Sequence, residues 1–377
     1  MTNKLATPPP DEPETARRIK QVRVGSGSRL INQRKDEHLD IVLTRDVGSG
    51  ATATGFDDIR FVHVALPELN LAEIDISTQF VGRTVAAPIM ISSMTGGPAR
   101  AGAINENIAI AAQALGLAFG VGSQRIALEN GQSSGLGRRL RSLAPDVPIL
   151  ANFGAAQIRH WNGPDMARRA VDMIEADALI IHLNPLQEAV QGNGDRDWRN
   201  VLVGIETICR QVRFPVIVKE VGFGISGPVA KRLMEAGVSV IDIAGAGGTS
   251  WAAVEAERAR TAKARAIAAA FRGWGLPTAV ALRDVRQACP GAVLIASGGL
   301  GDGIDCAKAI RMGADMTALA AALLPQAVEG ADALIAHLEI IIEQLRIACF
   351  CTGSADLAAL RRAEIRVENS GAARAAR

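Results

Sequence analysis

The sequence contains no tyrosine, and aromatic residues make up only 3% of its 377 positions. The core must therefore be built from aliphatic side chains and alanine, which the hydrophobic content of 48% supplies. No run of roughly 18 apolar residues occurs, so no membrane-spanning helix is expected. The formal net charge of +2 is too small to indicate a surface that binds nucleic acid.

Cysteine is also scarce, with five residues, at positions 209, 289, 306, 349 and 351. Cys349 and Cys351 form the only close pair, and the sequence offers no second pair to complete a zinc site. The spacing fits no disulfide framework either. We therefore expect reduced thiols and a cytoplasmic location.

The composition divides the chain into four segments. Residues 1–31 are polar, rich in proline and then in glycine and serine, which predicts a disordered leader. This leader has no apolar signal core, and its acidic residues argue against a transit peptide. We expect residues 32–87 to form an N-terminal extension that contributes to the active site, residues 88–348 a barrel domain, and residues 349–377 a C-terminal helical segment with a frayed tail.

From about residue 88, short β-rich runs alternate with alanine-rich helical segments. The runs are PIMIS (88–92), LAFGV (117–121), PILAN (148–152), ALIIHL (178–183), PVIVK (215–219), VSVIDI (238–243), AVLIAS (292–297) and ADMTALA (314–320). Such alternation predicts parallel βαβ units, and runs that are apolar on both faces are typical of a sheet covered by helices. Eight units match the size of an α/β fold of the (β/α)8 (TIM) barrel class, with an N-terminal extension. The alternative, a doubly wound open sheet, does not need the eighth strand and more often carries a GxGxxG motif.

Polar and glycine-rich residues follow seven of the eight predicted strands. In a barrel, the carboxyl ends of all strands meet at one mouth, so we expect the functional site there. These ends carry Ser92 and Ser93, the segment GSQR (122–125), Asn152, the segment HLNPLQE (182–188), Lys219 and Glu220, the segment GAGGTS (245–250), and the segment SGGLGDG (297–303).

Several of these residue types point to an anionic ligand. The glycine-rich segments after the sixth and seventh strands could cradle a phosphate with backbone N–H groups, although turn formation alone also explains them. Lys219 ends an apolar strand and points to the opposite face from Glu220, so a bound anion or an electron-rich ring is its better partner. Glu188 is either a single carboxylate ligand of Mg²⁺ or a solvated residue at a helix start.

The remaining candidates have structural explanations as well as functional ones. An isolated histidine such as His182 is more often a hydrogen-bonded structural residue than a base, and Asn184 before a proline could shape a turn. Upstream, the cluster of Arg34, Lys35 and His38 is either a charged helix surface or an anion-binding lid.

Together the motifs resemble the type 2, FMN-dependent isopentenyl-diphosphate isomerases. The matching elements run in order over about residues 32–325: RKDEHL (34–39), GFDDIRFVHVALPELNL (55–71), ISSMTGG (91–97), GVGSQR (120–125), ANFGAAQ (151–157), HLNPLQE (182–188), VKEVGFG (218–224), GAGGTSW (245–251) and SGG (297–299). The pair RKDEH and HLNPLQE is specific, because other FMN barrels lack it.

The resemblance implies a barrel that holds FMN and Mg²⁺ and moves the double bond of isopentenyl diphosphate to give dimethylallyl diphosphate. NADPH would keep the flavin reduced, and a homotetramer or homo-octamer would form. Catalytic roles would fall to Gln187, His182 and Asn184, beside reduced FMN as acid and base, with Glu188 holding the metal. Substrate contacts would come from Arg34, Lys35, His38, Ser123, Gln124, Arg125 and Gln187. Cofactor contacts would come from Ser92, Ser93, Met94, Thr95, Ser123, Asn152, Lys219, Ala244, Thr249, Gly299, Leu300, Gly301, Ala320 and Ala321.

Two positions depart from the family pattern, which usually has serine in place of Ala244 and arginine in place of Gly301. Both are expected near the FMN phosphate. Loss of a guanidinium there removes a contact of about 1.5–3 kcal/mol. We expect weaker FMN retention, with backbone N–H groups of residues 298–303 compensating.

Two other functions remain open from the sequence. A flavin oxidoreductase of the hydroxy-acid oxidase type would need a catalytic histidine on a late strand loop, and no histidine lies between positions 183 and 336. A non-catalytic flavin- or phosphate-binding barrel agrees with the substitutions at Ala244 and Gly301. The intact RKDEH and HLNPLQE motifs argue against it.

Overall fold

The computed structural model describes residues 34–94, 99–131 and 135–368, so the predicted leader and the last residues of the tail lie outside the described residues. Eight parallel strands close into a barrel in chain order, which confirms the predicted (β/α)8 fold. The strands are β1 (Ile89–Ile91), β2 (Ala118–Gly120), β3 (Ile149–Gly154), β4 (Ala178–His182), β5 (Val216–Lys219), β6 (Val240–Asp242), β7 (Val293–Ser297) and β8 (Met316–Leu319).

The barrel closes because β8 pairs with β1, with Ala318 opposite Met90. Alternate strand residues point inward and form a separate buried cluster: Met90, Ala118, Leu150, Ala178, Ile180, Ile217, Val240, Ile295, Met316 and Ala318. Phe80 and Val85 join this cluster from the hairpin of strands Thr78–Phe80 and Arg83–Val85, which precedes β1. The barrel interior is therefore a packed and mostly aliphatic core, as expected from the low aromatic content.

Helices cover the outside of the barrel. They are Ala99–Leu115, Arg125–Asn130, Arg139–Leu143, Gly163–Ile174, Pro185–Val190, Val201–Gln211, Gly227–Glu235, Trp251–Arg258, Ala262–Ala269, Thr278–Ala288, Gly303–Arg311, Leu324–Glu329, Ala331–Cys351 and Leu357–Leu360, with short 3-10 helices at Phe56–Asp58, Leu71–Glu73, Ala155–Arg159 and Ala321–Leu323. The insertion after β6 supplies the extra helices Trp251–Arg258 and Ala262–Ala269. Among the described residues, no helix is long and apolar enough to cross a membrane.

The two ends of the described chain pack onto the barrel. The N-terminal helix, residues 34–44, lies against the mouth, and strand Ile59–Phe61 pairs with strand Ile365–Val367 near the C-terminus. The predicted boundary at residue 348 falls inside helix Ala331–Cys351. The helix continues past that point because Leu345 and Cys349, one turn apart, are both buried.

Two matching arginine–aspartate clamps hold the amino ends of the strands. Asp177, just before β4, accepts hydrogen bonds through Oδ2 from Arg141 Nη2 at 2.6 Å and from the N–H of Ile149 in β3 at 2.9 Å. Four strands later the pattern recurs: Asp315, before β8, accepts from Arg286 Nη2 at 2.8 Å and from the N–H of Leu294 in β7 at 2.9 Å. Each clamp thus ties a strand to the segment that begins its neighbour.

We predict that Asp177→Ala lowers the free energy of unfolding by about 2–4 kcal/mol, because it removes the carboxylate partner of a largely buried guanidinium and leaves a strand N–H without its acceptor. Urea unfolding measures the effect. Arg210→Gln is the control, since it breaks an exposed ion pair with Glu206 and should change stability by about 0.5 kcal/mol or less. Equal effects of the two substitutions would contradict the role given to the clamp.

Candidate active site

A cavity of about 440 Å³ opens at the carboxyl ends of the strands. It is lined by the N-terminal helix and by residues that follow every strand. The predicted site residues that it brings together are Arg34, Lys35, His38, Ser92, Ser93, Met94, Ser123, Arg125, Asn152, His182, Asn184, Gln187, Glu188, Lys219, Ala244, Thr249, Gly299, Leu300, Gly301, Ala320 and Ala321. The predicted residue Thr95 lies outside the described residues.

Gln124, for which a substrate contact was predicted, does not line this cavity. Its side chain is fully buried, accepts from the N–H of Asn152 at 2.8 Å and donates to the carbonyl of Ala170 at 2.9 Å. Its neighbours Ser123 and Arg125 both line the cavity, so Gln124 faces the surrounding helices instead. It ties the loop after β2 to β3.

Three cations share one side of the cavity: Arg34, Lys35 and Arg125. Lys35 Nζ donates to the carbonyl of Ser123 at 3.0 Å and forms no ion pair within the described part of the chain. Burial, and then the charges of Arg34 and Arg125, lower the pKa of Lys35 to about 7. A bound anion would relieve this repulsion, so the cluster suits a strongly negative ligand.

Glu188 is the acidic residue of the cavity wall and is buried. Its Oε1 accepts from Asn184 Nδ2 at 3.1 Å, and its Oε2 accepts from the N–H of Asp195 at 2.7 Å. No cluster of three or more histidine, cysteine or acidic residues able to hold a metal occurs among the described residues. A single carboxylate with spare lone pairs fits Mg²⁺, which completes its shell with water and phosphate oxygens.

Glu255 is a residue that the sequence interpretation missed, and it contacts two residues of the cavity wall. It is buried and accepts from His38 Nε2 at 2.9 Å and from Arg258 Nη1 at 2.7 Å, and Gln187 Nε2 lies 3.5 Å from its Oε1. These bonds hold the N-terminal helix and Gln187 together at the mouth. No sequence pattern pointed to Glu255, because it lies within an alanine-rich helical insertion.

His182 is neutral and donates a hydrogen bond from its ring to Asn152. Its Nδ1 lies 2.8 Å from Asn152 Oδ1, and the amide of Asn152 is oriented by donation to the carbonyl of Val121 at 3.0 Å. Nδ1 therefore carries the proton and Nε2 keeps its lone pair. Burial, and then the charge of Lys219, lower the pKa of His182 to about 3, so it is not a general acid near neutral pH.

Lys219 has an internal counter-ion that was not foreseen. Its Nζ donates to the backbone carbonyl of Glu220 at 2.7 Å and lies 3.9 Å from Asp242 Oδ2. The carboxylate of Glu220 instead accepts from the N–H groups of residues 221–223, as expected from its opposite face. Asp242 was missed because it merely ends the apolar run of β6. Its pKa is raised by burial, which the charge of Lys219 opposes.

Two glycine loops form the opposite wall. A Cβ on Gly298 would lie 2.1 Å from the carbonyl oxygen of Gly245, and a Cβ on Gly299 would lie 2.6 Å from the carbonyl carbon of Gly247. Positive φ angles of 100° and 80° at Gly298 and Gly299 also favour glycine. The loops thus expose bare backbone to the cavity.

FMN fits this wall in chemical terms. The Ser93 hydroxyl lines the cavity and is buried without a hydrogen-bond partner in the described structure, so a polar atom remains available to a ligand. Lys219 supplies a positive charge to the same cavity. A flat, polar-edged ring with a phosphate tail suits bare backbone, an unsatisfied polar atom and a buried cation.

The backbone donors expected to replace a missing arginine are fewer than predicted. The N–H of Gly301 donates to Asp305 at 3.2 Å, that of Gly303 donates to Gln344 at 2.9 Å, and Asp302 caps the following helix. Within the described part of the chain, the N–H groups of Gly298, Gly299, Leu300 and Asp302 have no such acceptor. Compensation by backbone N–H groups stays a prediction, and these four groups are the donors that could provide it.

Comparison with known proteins agrees with the geometry. Residues 136–367 match the model of the FMN-dependent dehydrogenase family. A curated isopentenyl-diphosphate delta-isomerase from Stutzerimonas stutzeri is 60% identical over 88% of this chain and 96% of the relative. The proteins of that name from Xanthobacter autotrophicus and Nostoc sp. are 57% identical over 88% and 47% identical over 89% of this chain, covering 96% of each relative. A mandelate oxidase structure has a TM-score of 0.60 at 18% identity over 85% of this chain and 92% of its own, which shows the shared fold.

Fold, site and family match together define an FMN-dependent barrel of the dehydrogenase class. Within that class, the chain belongs to the isopentenyl-diphosphate delta-isomerase family, which confirms the resemblance drawn from RKDEH and HLNPLQE.

We predict that Gly301→Arg tightens FMN binding by about tenfold or more, because a guanidinium adds a charge-assisted contact to the phosphate. The structure leaves room for it, since no atom lies within 4 Å of a Cβ built on Gly301. Fluorescence titration of the apoprotein with FMN measures the change. Gly301→Gln controls for side-chain length without charge, and unchanged affinity of the arginine variant would refute the idea.

Proposed function

We propose that this protein is an enzyme that interconverts isopentenyl diphosphate and dimethylallyl diphosphate, using reduced FMN, Mg²⁺ and NADPH as the reductant. The observation that carries this proposal is the grouping of Arg34, Lys35 and Arg125 beside Glu188 in one cavity. Relatives at 47–60% identity bear the corresponding name and support it. A hydroxy-acid oxidase shares only the fold.

The cationic side of the cavity would hold the diphosphate. Arg34, Lys35 and Arg125 would donate to phosphate oxygens, and Glu188 would hold a Mg²⁺ ion that offsets the remaining negative charge. Ser123 and Gln187 line the cavity beside these groups and would add neutral donors. A bound anion would raise the lowered pKa of Lys35 and so favour the ammonium form that binds it.

The hydrocarbon end of the substrate would face apolar side chains. Leu39, Val42, Met94 and Trp251 all line the cavity. A five-carbon chain needs only a small apolar surface, and these residues exclude water from the carbons that gain and lose a proton. The N-terminal helix contributes Leu39 and Val42 to this apolar surface. It also carries Arg34 and Lys35, so its position affects both ends of the substrate.

Moving the double bond requires a proton to be added at one carbon and removed from another. The amides of Asn184 and Gln187 are neutral, and His182 has a pKa of about 3, so these residues orient the substrate and do not act as acids. Asn184 Nδ2 donates to Gln187 Oε1 at 3.1 Å, which fixes the direction of the second amide. Reduced FMN, when bound, supplies the acid and base function that these neutral side chains lack.

The direct experiment incubates the purified protein with isopentenyl diphosphate, FMN, Mg²⁺ and NADPH without oxygen and follows dimethylallyl diphosphate by mass spectrometry. We expect product formation that depends on reduction of the flavin. No product under these conditions would overturn the proposal. Net oxidation of a 2-hydroxy acid by the same preparation would favour an oxidase instead.

We predict that Glu188→Gln raises the Mg²⁺ concentration for half-maximal activity by about tenfold or more, because the neutral amide is a poor ligand for a hard cation. FMN affinity should not change, since the glycine wall is untouched. Glu188→Asp, which keeps the charge, is the matched control and should show a smaller shift. Loss of FMN with an unaltered metal response would contradict the assignment of Glu188.

We also propose a cytoplasmic homo-oligomer, a tetramer or an octamer, as the family resemblance implies. The reduced cysteines expected from the sequence agree with that compartment. Sedimentation velocity tests the assembly directly, and a monomer at micromolar concentration would exclude it.

A further inference from the structure

The loop of residues 191–198, which follows helix Pro185–Val190, carries a carboxylate that the proposed reaction has not used. Asp195 Oδ2 accepts from Arg125 Nη1 at 3.1 Å and from Gln157 Nε2 at 3.0 Å. The N–H of the same residue donates to Glu188 Oε2 at 2.7 Å. One residue therefore contacts three side chains of the cavity wall.

The loop is held in place independently of these contacts. The carbonyl of Asp195 accepts from Trp198 Nε1 at 2.9 Å, within the loop itself. A Cβ on Gly194 would lie 2.0 Å from the carbonyl oxygen of Glu188, so the loop approaches the helix more closely than any side chain would allow. The N–H of Asp195 is thus aimed at the Glu188 carboxylate by packing.

Arg125 is held from two sides. Its Nε donates to Glu129 at 3.1 Å and its Nη1 donates to Asp195 at 3.1 Å. A guanidinium has five N–H donors, so three remain for an anion in the cavity. The side chains of Arg125 and Asp195 are both about one-third exposed. Water weakens an ion pair at such a site, so the pair fixes the orientation of Arg125 more than it adds to the stability of the fold.

We propose that Asp195 is a positioning residue that orients Arg125 toward the substrate diphosphate and Glu188 toward the metal ion. This inference rests on the proposed function of the same site. Its consequence is that diphosphate binding and metal binding depend on one loop, through the Asp195 carboxylate toward Arg125 and through the Asp195 N–H toward Glu188. Asp195 acts through its neighbours. Its Oδ2 already accepts hydrogen bonds from two side chains of the protein, those of Arg125 and Gln157.

The experiment titrates the FMN-loaded protein with inorganic pyrophosphate, with and without Mg²⁺, by isothermal calorimetry. For Asp195→Ala we expect about tenfold weaker metal-free pyrophosphate binding and a smaller change in the Mg²⁺ requirement, because the backbone N–H that contacts Glu188 remains. Asp195→Asn keeps an oxygen acceptor of the same shape, so each loss should stay below about threefold. Flavin absorbance and urea unfolding establish that the variants are folded.

The matched control is Glu129→Gln, which removes the other carboxylate from the same guanidinium but does not contact Glu188. It should leave the Mg²⁺ requirement unchanged.

Gly194→Ala gives the converse test: its methyl group displaces the loop from the helix while the Asp195 carboxylate remains. We expect it to raise the Mg²⁺ requirement and to alter metal-free pyrophosphate binding less.

Three results would overturn the proposal. They are wild-type behaviour of Asp195→Ala, an equal effect of Glu129→Gln on both ligands, and complete loss of the metal response in Asp195→Asn, which would make Asp195 a ligand itself. Failure of wild-type protein to bind pyrophosphate would also overturn it. Wild-type protein that binds pyrophosphate but forms no dimethylallyl diphosphate would instead refute the proposed reaction and leave the positioning role standing.

Discussion

The closed ring of parallel strands is the constraint on which the other features depend. Pairing of β8 with β1 leaves no free sheet edge, and parallel pairing places every carboxyl end at the same rim. Residues distant in the sequence, such as Lys219 on β5 and Asp242 on β6, meet there without any local signal. The barrel interior is filled by aliphatic side chains below the rim, so the cavity has a rigid floor.

Buried charge is the second organising feature. Some buried charges in and near the cavity are paired with a charge of opposite sign, and one group of cations is not. Lys219 has the internal counter-ion Asp242, and Glu255 is shared between His38 and Arg258. Lys35 is left beside other cations with a pKa of about 7. Uncompensated positive charge is therefore confined to the side where a diphosphate would bind, and His182 remains neutral elsewhere.

The sequence predicted the barrel well, because parallel strands buried on both faces give short apolar runs that periodicity reveals. It also predicted most of the cavity lining, since residues just after such strands must reach the rim. It could not show where a side chain turns away from the rim, as Gln124 does to bond with Asn152 and Ala170. It missed Glu255 and Asp195, whose roles arise only from tertiary contacts across more than 65 positions with His38 and Arg125.

The same strand pairs behave differently at the two ends of the barrel. At the amino end, β3–β4 and β7–β8 carry the same clamp, with Asp177 and Asp315 in matching hydrogen bonds. At the carboxyl end, the first pair presents Asn152 and His182, whereas the second presents a glycine loop. A clamp that stabilises strand ends works equally well at both strand pairs, so nothing favours a difference between the two clamps. A ligand with a charged head and an apolar tail is not the same at its two ends. The residues that contact it must therefore differ around the rim.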